Sequence, residues 1–503
     1  MKANSFLTIV FFLTTCLLNA QTLDDALRLT NESIEGNAQF VGTAGSMGAI
    51  GGNVSAIYSN PAGLAVFDKG LVEFSLAGYS YKSNSEYLEQ QTNVRRLKNS
   101  IPNFGVVAKI YENEEKPISR VNLAFSINRT NTFDRKVIFN KDESPTSITE
   151  DMLDEYLFGS PSKNYSDLAW STYIIDTNQF GDYVTPFDFF DENGVNIRQF
   201  GEEQTRKIIH DGYKRKISFS LGTEFYKKIL LGISFNIDKL HFKSETIHTE
   251  LGNSNTIYDF NKLEYIEEYE ISGEGGSASI GILIKPIKGL SFGGAFHTPT
   301  FYNLYDKVDY TLNSSFNTPD ANDNYEYSAT ETDEYSYYYI SPAKLTANLG
   351  FIFKNIGFIN IDYDKKFVNK TEYIDNNDSE YISEVNQLIG ENYKSTSTIR
   401  VGGELRFGPI AIRGGYAISD NPYLNSGTSF SPYKTSVSTG IGVKGKHLYF
   451  DMSYLFNKYK VENSYYLYTT NNGTQYNDKV LSDISGTYSE KSSSLVFTLG
   501  YKF

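Results

Sequence analysis

Cysteine is almost absent from this sequence of 503 residues, which contains only Cys16. That residue lies in an apolar stretch near the start of the chain, and no second thiol exists to form a disulfide with it. Disulfides are the usual reinforcement of small exported domains. If the chain is exported, its stability must therefore come from another source, such as an extensive hydrogen-bonded sheet.

Long apolar runs are scarce as well, and the longest extends from Phe6 to Leu18. A helix needs about 20 apolar residues to span a bilayer, so this run is too short to be a membrane anchor. The basic Lys2 before it and the small Ala20 after it are typical of a cleaved signal peptide. We predict that residues 1–20 are this signal. Lipidation at Cys16 is the alternative, although no small residues directly precede it.

Positive charge is in short supply, because 46 Lys and Arg residues stand against 60 Asp and Glu residues. The formal net charge is −14. Nucleic-acid binding depends on clustered cations that neutralise phosphates. The balance of charge therefore argues against a nucleic-acid partner.

Signatures of catalysis and of cofactor binding are missing too. The five histidines show no metal-ligand spacing, and no His-Glu-x-x-His sequence occurs. The stretch 289–293 matches the Gly-x-Ser-x-Gly nucleophile elbow in its letters, but that motif requires a helix after its turn. Here a strand pattern follows. We predict a protein that is not an enzyme and that holds no cofactor or metal.

Alternating polar and apolar residues are what the chain has in abundance. Ile217, Phe219 and Leu221 alternate with Ser218 and Ser220, and this period of two recurs from about residue 70 to the C terminus. Strict alternation predicts strands with one apolar and one polar face. By the same parity several charged side chains belong to the polar face: Asp362, Arg400, Glu404, Arg406, Arg413 and Asp451.

The spacing of these strands predicts a closed barrel. About 14 strands fit the pattern, and short connections such as 226–228 alternate with long ones. The predicted long loops are 83–100, 133–212, 244–269, 301–333, 371–394, 421–432 and 461–491. Short turns on one rim and long loops on the other are typical of transmembrane barrels. In lipid, a sheet must close on itself to leave no backbone group of an edge strand unpaired. We predict an all-β fold, a transmembrane antiparallel β-barrel over residues 70–503 with long extracellular loops.

The chain ends on an aromatic residue of this alternation. Leu495, Phe497, Leu499, Tyr501 and Phe503 share one face of the final predicted strand. A last strand that ends in this way resembles the C-terminal recognition signal of outer-membrane barrels. The resemblance implies that Tyr501 and Phe503 form an assembly signal and that the barrel assembly machinery is a partner.

A glycine-dense stretch before the first strand ends in the turn sequence Asn60-Pro61-Ala62-Gly63. Proline moves the residue before it out of the helical region, and Gly63 supplies conformational freedom that Pro61 removes. Together with residues 23–28, the run 55–67 that contains this motif resembles the N-terminal hatch of the outer-membrane long-chain fatty acid transporter family (FadL/TodX). Further stretches that resemble the family are 286–302, 341–350, 400–404 and 413–417.

The resemblance has consequences for the interior and the wall of the barrel. It implies that residues 21–69 form a small plug, or hatch, in which the Asn60–Gly63 motif shapes the route past the plug. It also implies that a ligand leaves sideways through a wall opening at a kink in the third strand. The matching candidates are Ser126, Asn128 and Arg129, where polar residues interrupt apolar ones.

The function implied by the resemblance is passive transport of hydrophobic molecules, such as long-chain fatty acids, across the outer membrane of a Gram-negative bacterium. Capture at the extracellular loops would precede diffusion through the plugged barrel and lateral exit. The expected partners are the ligand, outer-membrane lipid and lipopolysaccharide. Two alternatives remain, namely a general diffusion porin, which would lack a glycine-rich plug, and an adhesin or binding protein that uses its long acidic loops.

Overall fold

A computed structural model describes residues 23–159, 161–190, 196–252, 259–375, 379–426, 430–459, 463–476 and 479–503. The predicted signal peptide, residues 1–20, lies outside the described residues. Among those that are described, no helix has both the length and the apolar character needed to cross a membrane.

Strands make up most of the described chain. In chain order they are β1 (Leu71–Tyr87), β2 (Gln90–Glu112), β3 (Ile118–Thr132), β4 (Arg135–Lys141), β5 (Asp176–Thr177), β6 (Tyr183–Val184), β7 (Asp188–Phe190), β8 (Asn196–Arg198), β9 (Glu203–Phe225), β10 (Ile229–Leu251), β11 (Phe260–Ile284), β12 (Leu290–His297), β13 (Phe301–Phe316), β14 (Glu326–Ile340), β15 (Lys344–Phe353), β16 (Gly357–Lys366), β17 (Glu372–Ile374), β18 (Thr396–Phe407), β19 (Ile410–Asp420), β20 (Pro432–Lys444), β21 (Leu448–Tyr459), β22 (Asn463–Tyr476) and β23 (Lys479–Lys502).

Helices are short and lie near the N terminus or in the long connections. They are α1 (Leu23–Thr30), α2 (Ala38–Gly42), α3 (Ile148–Phe158), α4 (Ser166–Ser171) and α5 (Ser379–Asn392). Short 3₁₀ helices cover Ser55–Tyr58, Pro61–Val66, Val368–Lys370 and Leu424–Ser426.

The strands form one closed antiparallel wall, apart from β5 to β8, which form two small separate sheets. The described wall contains nineteen strands, which occupy fourteen successive positions around the barrel. Five of these positions each hold two strands that are separated by a break in the same wall position: β3 and β4, β12 and β13, β14 and β15, β16 and β17, and β21 and β22. β1 pairs with β23 from Leu71 opposite Lys502 to Glu86 opposite Thr487, which closes the cylinder. The predicted fold class and strand number are confirmed.

An apolar band surrounds the outside of the wall. On β10 the outward side chains Ile229, Leu231, Phe235 and Ile237 are exposed, and the stretch has the length of a tilted membrane strand, about 9–11 residues. Further along the same face the outward residues become charged, beginning with Lys239. The strands therefore continue beyond the band that lipid would cover. We call the end with the short turns the turn end and the opposite end the loop end.

Several of the predicted long loops are wrong, because the strands are longer than the apolar pattern indicates. The predicted loop 83–100 is a continuous hairpin of β1 and β2, turned at Leu88 and Glu89, which both have positive φ as such hairpin turns require. Most of 244–269 and 301–333 is likewise strand. Beyond the apolar band neither strand face needs to be apolar, so the alternation disappears while the backbone pairing continues.

The inner face of the wall is polar, as the parity predicted. Asp362, Glu404, Arg413 and Asp451 are buried, and Arg406 bonds to Glu404 at the turn end. Arg413 of β19 connects to two other strands, because it donates to Glu404 of β18 at 2.6 Å and to Asp451 of β21 at 2.7 Å. Residues 23–69, which we call the N-terminal segment, lie against this inner face.

The C terminus lies where the wall closes. The amide of Phe503 donates to the carbonyl oxygen of Gly70 at 3.0 Å, and a Cβ on Gly70 would lie 2.3 Å from the Phe503 ring. Phe503 and Tyr501 are stacked and exposed on the outer face of β23. The last aromatic residue thus covers the start of the first strand.

We expect deletion of Phe503, or its replacement by Asp, to block assembly while export continues. The reason is that the terminal ring lies at the closing seam, and a charge there would face lipid. Membrane fractionation and the shift in gel mobility between unboiled and boiled samples measure assembly. Normal amounts of folded Phe503→Asp protein in the membrane would contradict the expectation, and Phe503→Tyr serves as the matched control.

Candidate functional site

Asn60 connects the N-terminal segment to the wall. Its side-chain NH2 donates to the carbonyl oxygen of Ile282 at 3.2 Å and to the side chain of Asn348 at 3.0 Å. Its side-chain oxygen accepts the amide of Ala62 at 3.1 Å and so caps the 3₁₀ helix that begins at Pro61. A buried amide that uses both its donor and its acceptor in this way fixes the position of the turn.

Glycines in the wall make room for this turn. A Cβ on Gly232 of β10 would lie 2.2 Å from the carbonyl carbon of Pro61, and one on Gly281 of β11 would lie 2.1 Å from Oδ1 of Asn60. Gly63 lies against Gly51 of the same segment, and a Cβ on Gly63 would lie 3.0 Å from the Cα of Gly51. Glycine in the middle of a strand often marks close approach of another backbone. The Asn60–Gly63 motif therefore packs on the wall itself.

Polar side chains of the wall bind the N-terminal segment around its circumference. The amides of Met47 and Gly48 both donate to Asp362 at 3.1 Å, and the amide of Ala38 donates to Thr498 at 2.7 Å. Other wall residues that bond to the backbone of the segment include Asn122, Asn360 and Ser438. Because β3, β16, β20 and β23 all take part, the segment extends across the interior of the barrel.

A cavity of about 280 Å³ remains between the N-terminal segment and the wall. Its lining includes several cations and several ring or aliphatic groups: Arg129, Lys344, Lys366, Arg400, Tyr79, Tyr81, Phe133 and Leu455. The cavity is amphipathic rather than purely apolar, so it can accommodate a ligand that has both a polar and an apolar part.

Glu32 is the charged centre on one side of this cavity. Lys344 lies 3.0 Å and Lys366 lies 3.4 Å from its carboxylate. Burial by itself would raise the pKa of Glu32, but the charges of Lys344, Lys366 and Lys214 outweigh it and hold that pKa well below its usual range. Three lysines around one carboxylate leave this part of the cavity with an excess of positive charge.

The backbone ladder of the wall has a gap between its second and third positions. β2 and β3 are paired between the turn end and the pair formed by Asn103 of β2 and Asn128 of β3. The remaining part of β2, from Gln90 to Ser100, is paired with β1 but not with β3. Pro102 is the residue next to the last pair, and proline has no N–H to continue the ladder. β3 itself has a bulge relative to β9 between Arg129 and Asn131.

The gap opens to the outer surface of the barrel. A pocket of about 810 Å³ lies there and combines lipid-facing residues, such as Leu76, Ile101 and Phe497, with Arg129 and Asp134. Arg129 and Asp134 also line the internal cavity. Two side chains thus separate the interior from the outer face of the wall.

Arg129 is held at this boundary by the N-terminal segment. Its guanidinium lies 3.3 Å from Glu35 and 4.3 Å above the ring of Tyr79, whose hydroxyl donates to Glu35 at 2.7 Å. By simple alternation Arg129 would face lipid, but the bulge turns it inward. Glu35 and Tyr79 therefore fix the position of the Arg129 side chain beside the gap.

The other two predicted wall residues lie beside the gap. Asn128 accepts the side-chain NH2 of Asn103 at 2.7 Å and the hydroxyl of Ser55 at 3.2 Å, and Ser126 accepts from Asn128 at 3.2 Å. The structure thus brings Ser126, Asn128 and Arg129 together with the N-terminal segment. The sequence analysis did not identify Pro102, Glu35 or Asp134, although a proline inside an alternating stretch is itself a signal of interrupted pairing.

At the loop end the barrel is covered. α3 and α4 pack Ile148, Met152 and Leu168 against side chains of the upper strands, including Tyr265 and Leu312. α5 places Ile382, Val385 and Ile389 against α1 of the N-terminal segment. The described helices therefore cover the loop end of the cylinder, above the N-terminal segment.

The closed ring of strands, the apolar band and the occupied interior together define a plugged transmembrane-type β-barrel. Its wall has a local gap in the described pairing, between β2 and β3. No family model matches the sequence, and no curated protein matches it. Among solved structures, a FadL homologue of Pseudomonas aeruginosa is similar, with 12% identity, a TM-score of 0.52, and coverage of 94% of this chain and 99% of that chain. The toluene transporter TodX of Pseudomonas putida is similar too, with 11% identity, a TM-score of 0.51 and the same coverage, 94% and 99%. The fold is shared with these proteins, in agreement with the resemblance seen in the sequence.

Proposed function

We propose that this protein is a passive transporter that carries amphipathic hydrophobic molecules, such as long-chain fatty acids, across the outer membrane of a Gram-negative bacterium. The observation that carries the proposal is the common boundary of the cavity and the gap, because Arg129 and Asp134 line both. A porin would need an open central path, whereas the N-terminal segment crosses this interior. The FadL homologue and the toluene transporter, which have the same fold, support a transport role.

The proposed route has three stages. A ligand is captured at the loop end, where α3, α4 and α5 cover the mouth with apolar and aromatic side chains. It then occupies the cavity beside Glu32, and it leaves sideways through the gap between β2 and β3 into the lipid. In this scheme residues 21–69 are a plug that closes the path to the turn end, and the Asn60–Gly63 motif anchors the plug beside the route.

The charges of the cavity favour a ligand with an anionic head. Lys344, Lys366 and Arg400 line the cavity, and a carboxylate is the group that such cations bind through charge-assisted hydrogen bonds. A hydrocarbon would make no such bond and would leave these cations only their ion pairs with Glu32 and Asp364. We therefore propose fatty acids rather than neutral hydrocarbons as the ligand class.

The test is uptake by cells that express the protein, with a fatty acid, the fatty alcohol of equal chain length and toluene as the three solutes. We expect saturable uptake of the acid and slower uptake of the alcohol and of toluene. Lys366→Gln should reduce the difference between the uptake rates of the fatty acid and the fatty alcohol. Lys354→Gln, which lies at a short turn far from the cavity, is the control. Equal rates for all three solutes in the wild type would contradict the proposed ligand class.

A further inference from the structure

The gap in the wall is bridged by side chains where the backbone ladder is missing. Lys98 of β2 lies 2.8 Å from the carboxylate of Asp211 on β9. Arg96, two residues along the same face of β2, donates to Asp211 and to the carbonyl oxygen of Arg135 at 2.9 Å. Asp211 therefore receives two cations from the opposite side of the gap.

Asp211 shares the gap with Asp134, and the two carboxyl groups are hydrogen-bonded to each other. Asp134 is the nearest acidic neighbour on the gap, and it lies 4.0 Å from Lys98. Asp211 and Lys98 are both partly exposed, with 42% and 35% of their side chains accessible. Exposed ion pairs form and break readily because water competes for both partners. A backbone ladder at this place would instead require several hydrogen bonds to break together.

We propose that Asp211 is a latch residue, which holds β2 against β9 through Lys98 and Arg96 and thereby sets the width of the gap through which the ligand leaves. This inference rests on the proposed lateral exit. When the ion pairs separate, β2 loses its side-chain ties to Asp211, and the pairing with β1 and the bonds of Arg96 to the carbonyl oxygens of Arg135 and His210 remain. Removal of the Asp211 charge takes from Lys98 and Arg96 the carboxylate of β9 that they share, and the gap widens.

The outer wall offers a matched ion pair that has no gap beneath it. Lys243 of β10 lies 2.7 Å from Glu268 of β11, and both side chains are partly exposed, at 44% and 40%. β10 and β11 are joined by an uninterrupted ladder from Ile229 to Leu251. Breaking this pair should not alter the wall, so it controls for the general effect of removing a surface charge.

The first experiment measures the initial rate of fatty acid transfer by proteoliposomes that contain Asp211→Asn, Glu268→Gln or the wild type. For Asp211→Asn we expect a rate increase of about two- to fivefold, as the loss of one exposed ion pair allows. Glu268→Gln should match the wild type. Asp211→Glu, which keeps a carboxylate for Lys98 and Arg96, should keep the wild-type rate. A rate for Asp211→Asn equal to that of the wild type would overturn the latch.

The second experiment closes the gap covalently and separates the latch from the route. Because the only natural cysteine is Cys16, in the predicted signal peptide, Lys98→Cys with Asp211→Cys would carry the only two thiols of the mature protein. A reversible bifunctional thiol reagent as long as a lysine side chain should stop transfer, and a reductant should restore it. The same treatment of Lys243→Cys with Glu268→Cys should have no effect.

The outcomes of the two experiments are distinguishable. Full transfer through the cross-linked gap would overturn the lateral route and the latch with it. If cross-linking stops transfer but Asp211→Asn leaves the transfer rate unchanged, the latch is overturned and the proposed function stands. The mobility shift on boiling verifies in each case that the barrel is folded.

Discussion

Deletion of residues 21–60 is expected to turn a silent barrel into an ion-conducting one. The N-terminal segment crosses the interior, and residues between 23 and 60 bond to β3, β16, β20 and β23, so their removal leaves a cylinder lined by polar and charged side chains. The ladder of the wall does not depend on the segment, because β1 pairs with β2 and β23 along its length. A wide polar barrel without a plug fills with water and conducts.

Single-channel recordings in planar bilayers measure this effect. The intact protein should show no steady current at moderate voltage, whereas the deletion variant should show stable open-channel steps whose size grows with salt concentration. The deletion variant must first show the mobility shift of a folded barrel. If the folded deletion variant were as silent as the intact protein, the N-terminal segment would not be the plug.

Gly232→Ala is expected to displace the plug without cutting the chain. A Cβ at this position would lie 2.2 Å from the carbonyl carbon of Pro61 and 2.4 Å from the amide nitrogen of Ala62, so backbone rather than a flexible side chain must move. Overpacking of a tightly packed site costs about 1–3 kcal/mol. The loosened turn would weaken the bonds of Asn60 to Ile282 and Asn348. We expect intermittent conductance and a lower unfolding temperature.

Gly276→Ala on the neighbouring β11 is the matched control. The part of the chain that the structure describes places no atom within 4 Å of a Cβ at Gly276, so the same added methyl group meets open space. Its recordings should be as silent as those of the wild type. If Gly232→Ala were equally silent and equally stable, the close packing of the Asn60–Gly63 motif on the wall would be refuted.

Much of the fold could be predicted because the membrane imposes its pattern on the sequence. From Ile217 to Leu221 and from Leu231 to Ile237 the outward residues are apolar and the inward ones are polar or glycine, and the fourteen wall positions follow from repeats of this pattern. The tall hairpin 71–112 could not be predicted in full, because Tyr87 and its neighbours lie beyond the apolar band. Pairing there is stabilised by backbone hydrogen bonds, which leave no periodic trace in the sequence.

The candidate site was only partly accessible from the sequence. The Asn60–Gly63 motif was recognisable as a turn, and its contact with the wall has a signal in Gly232 and Gly281, which interrupt alternating strands. The gap was harder to find, because it depends on Pro102 in β2 rather than on the polar residues of β3 alone. Asp211 and Lys98 come together only through the closed topology, so no local pattern could have paired them.

The central claim is that this barrel admits fatty acids while it excludes ions, and one measurement on a single preparation tests it most directly. Proteoliposomes are loaded with two internal dyes, one that responds to fatty acid arrival and one that responds to potassium entry. We predict that the intact protein accelerates fatty acid arrival in a saturable manner while potassium entry stays at the rate of empty liposomes. Acceleration of potassium entry in step with the fatty acid would identify an open porin and contradict the claim, and so would fatty acid arrival no faster than in empty liposomes.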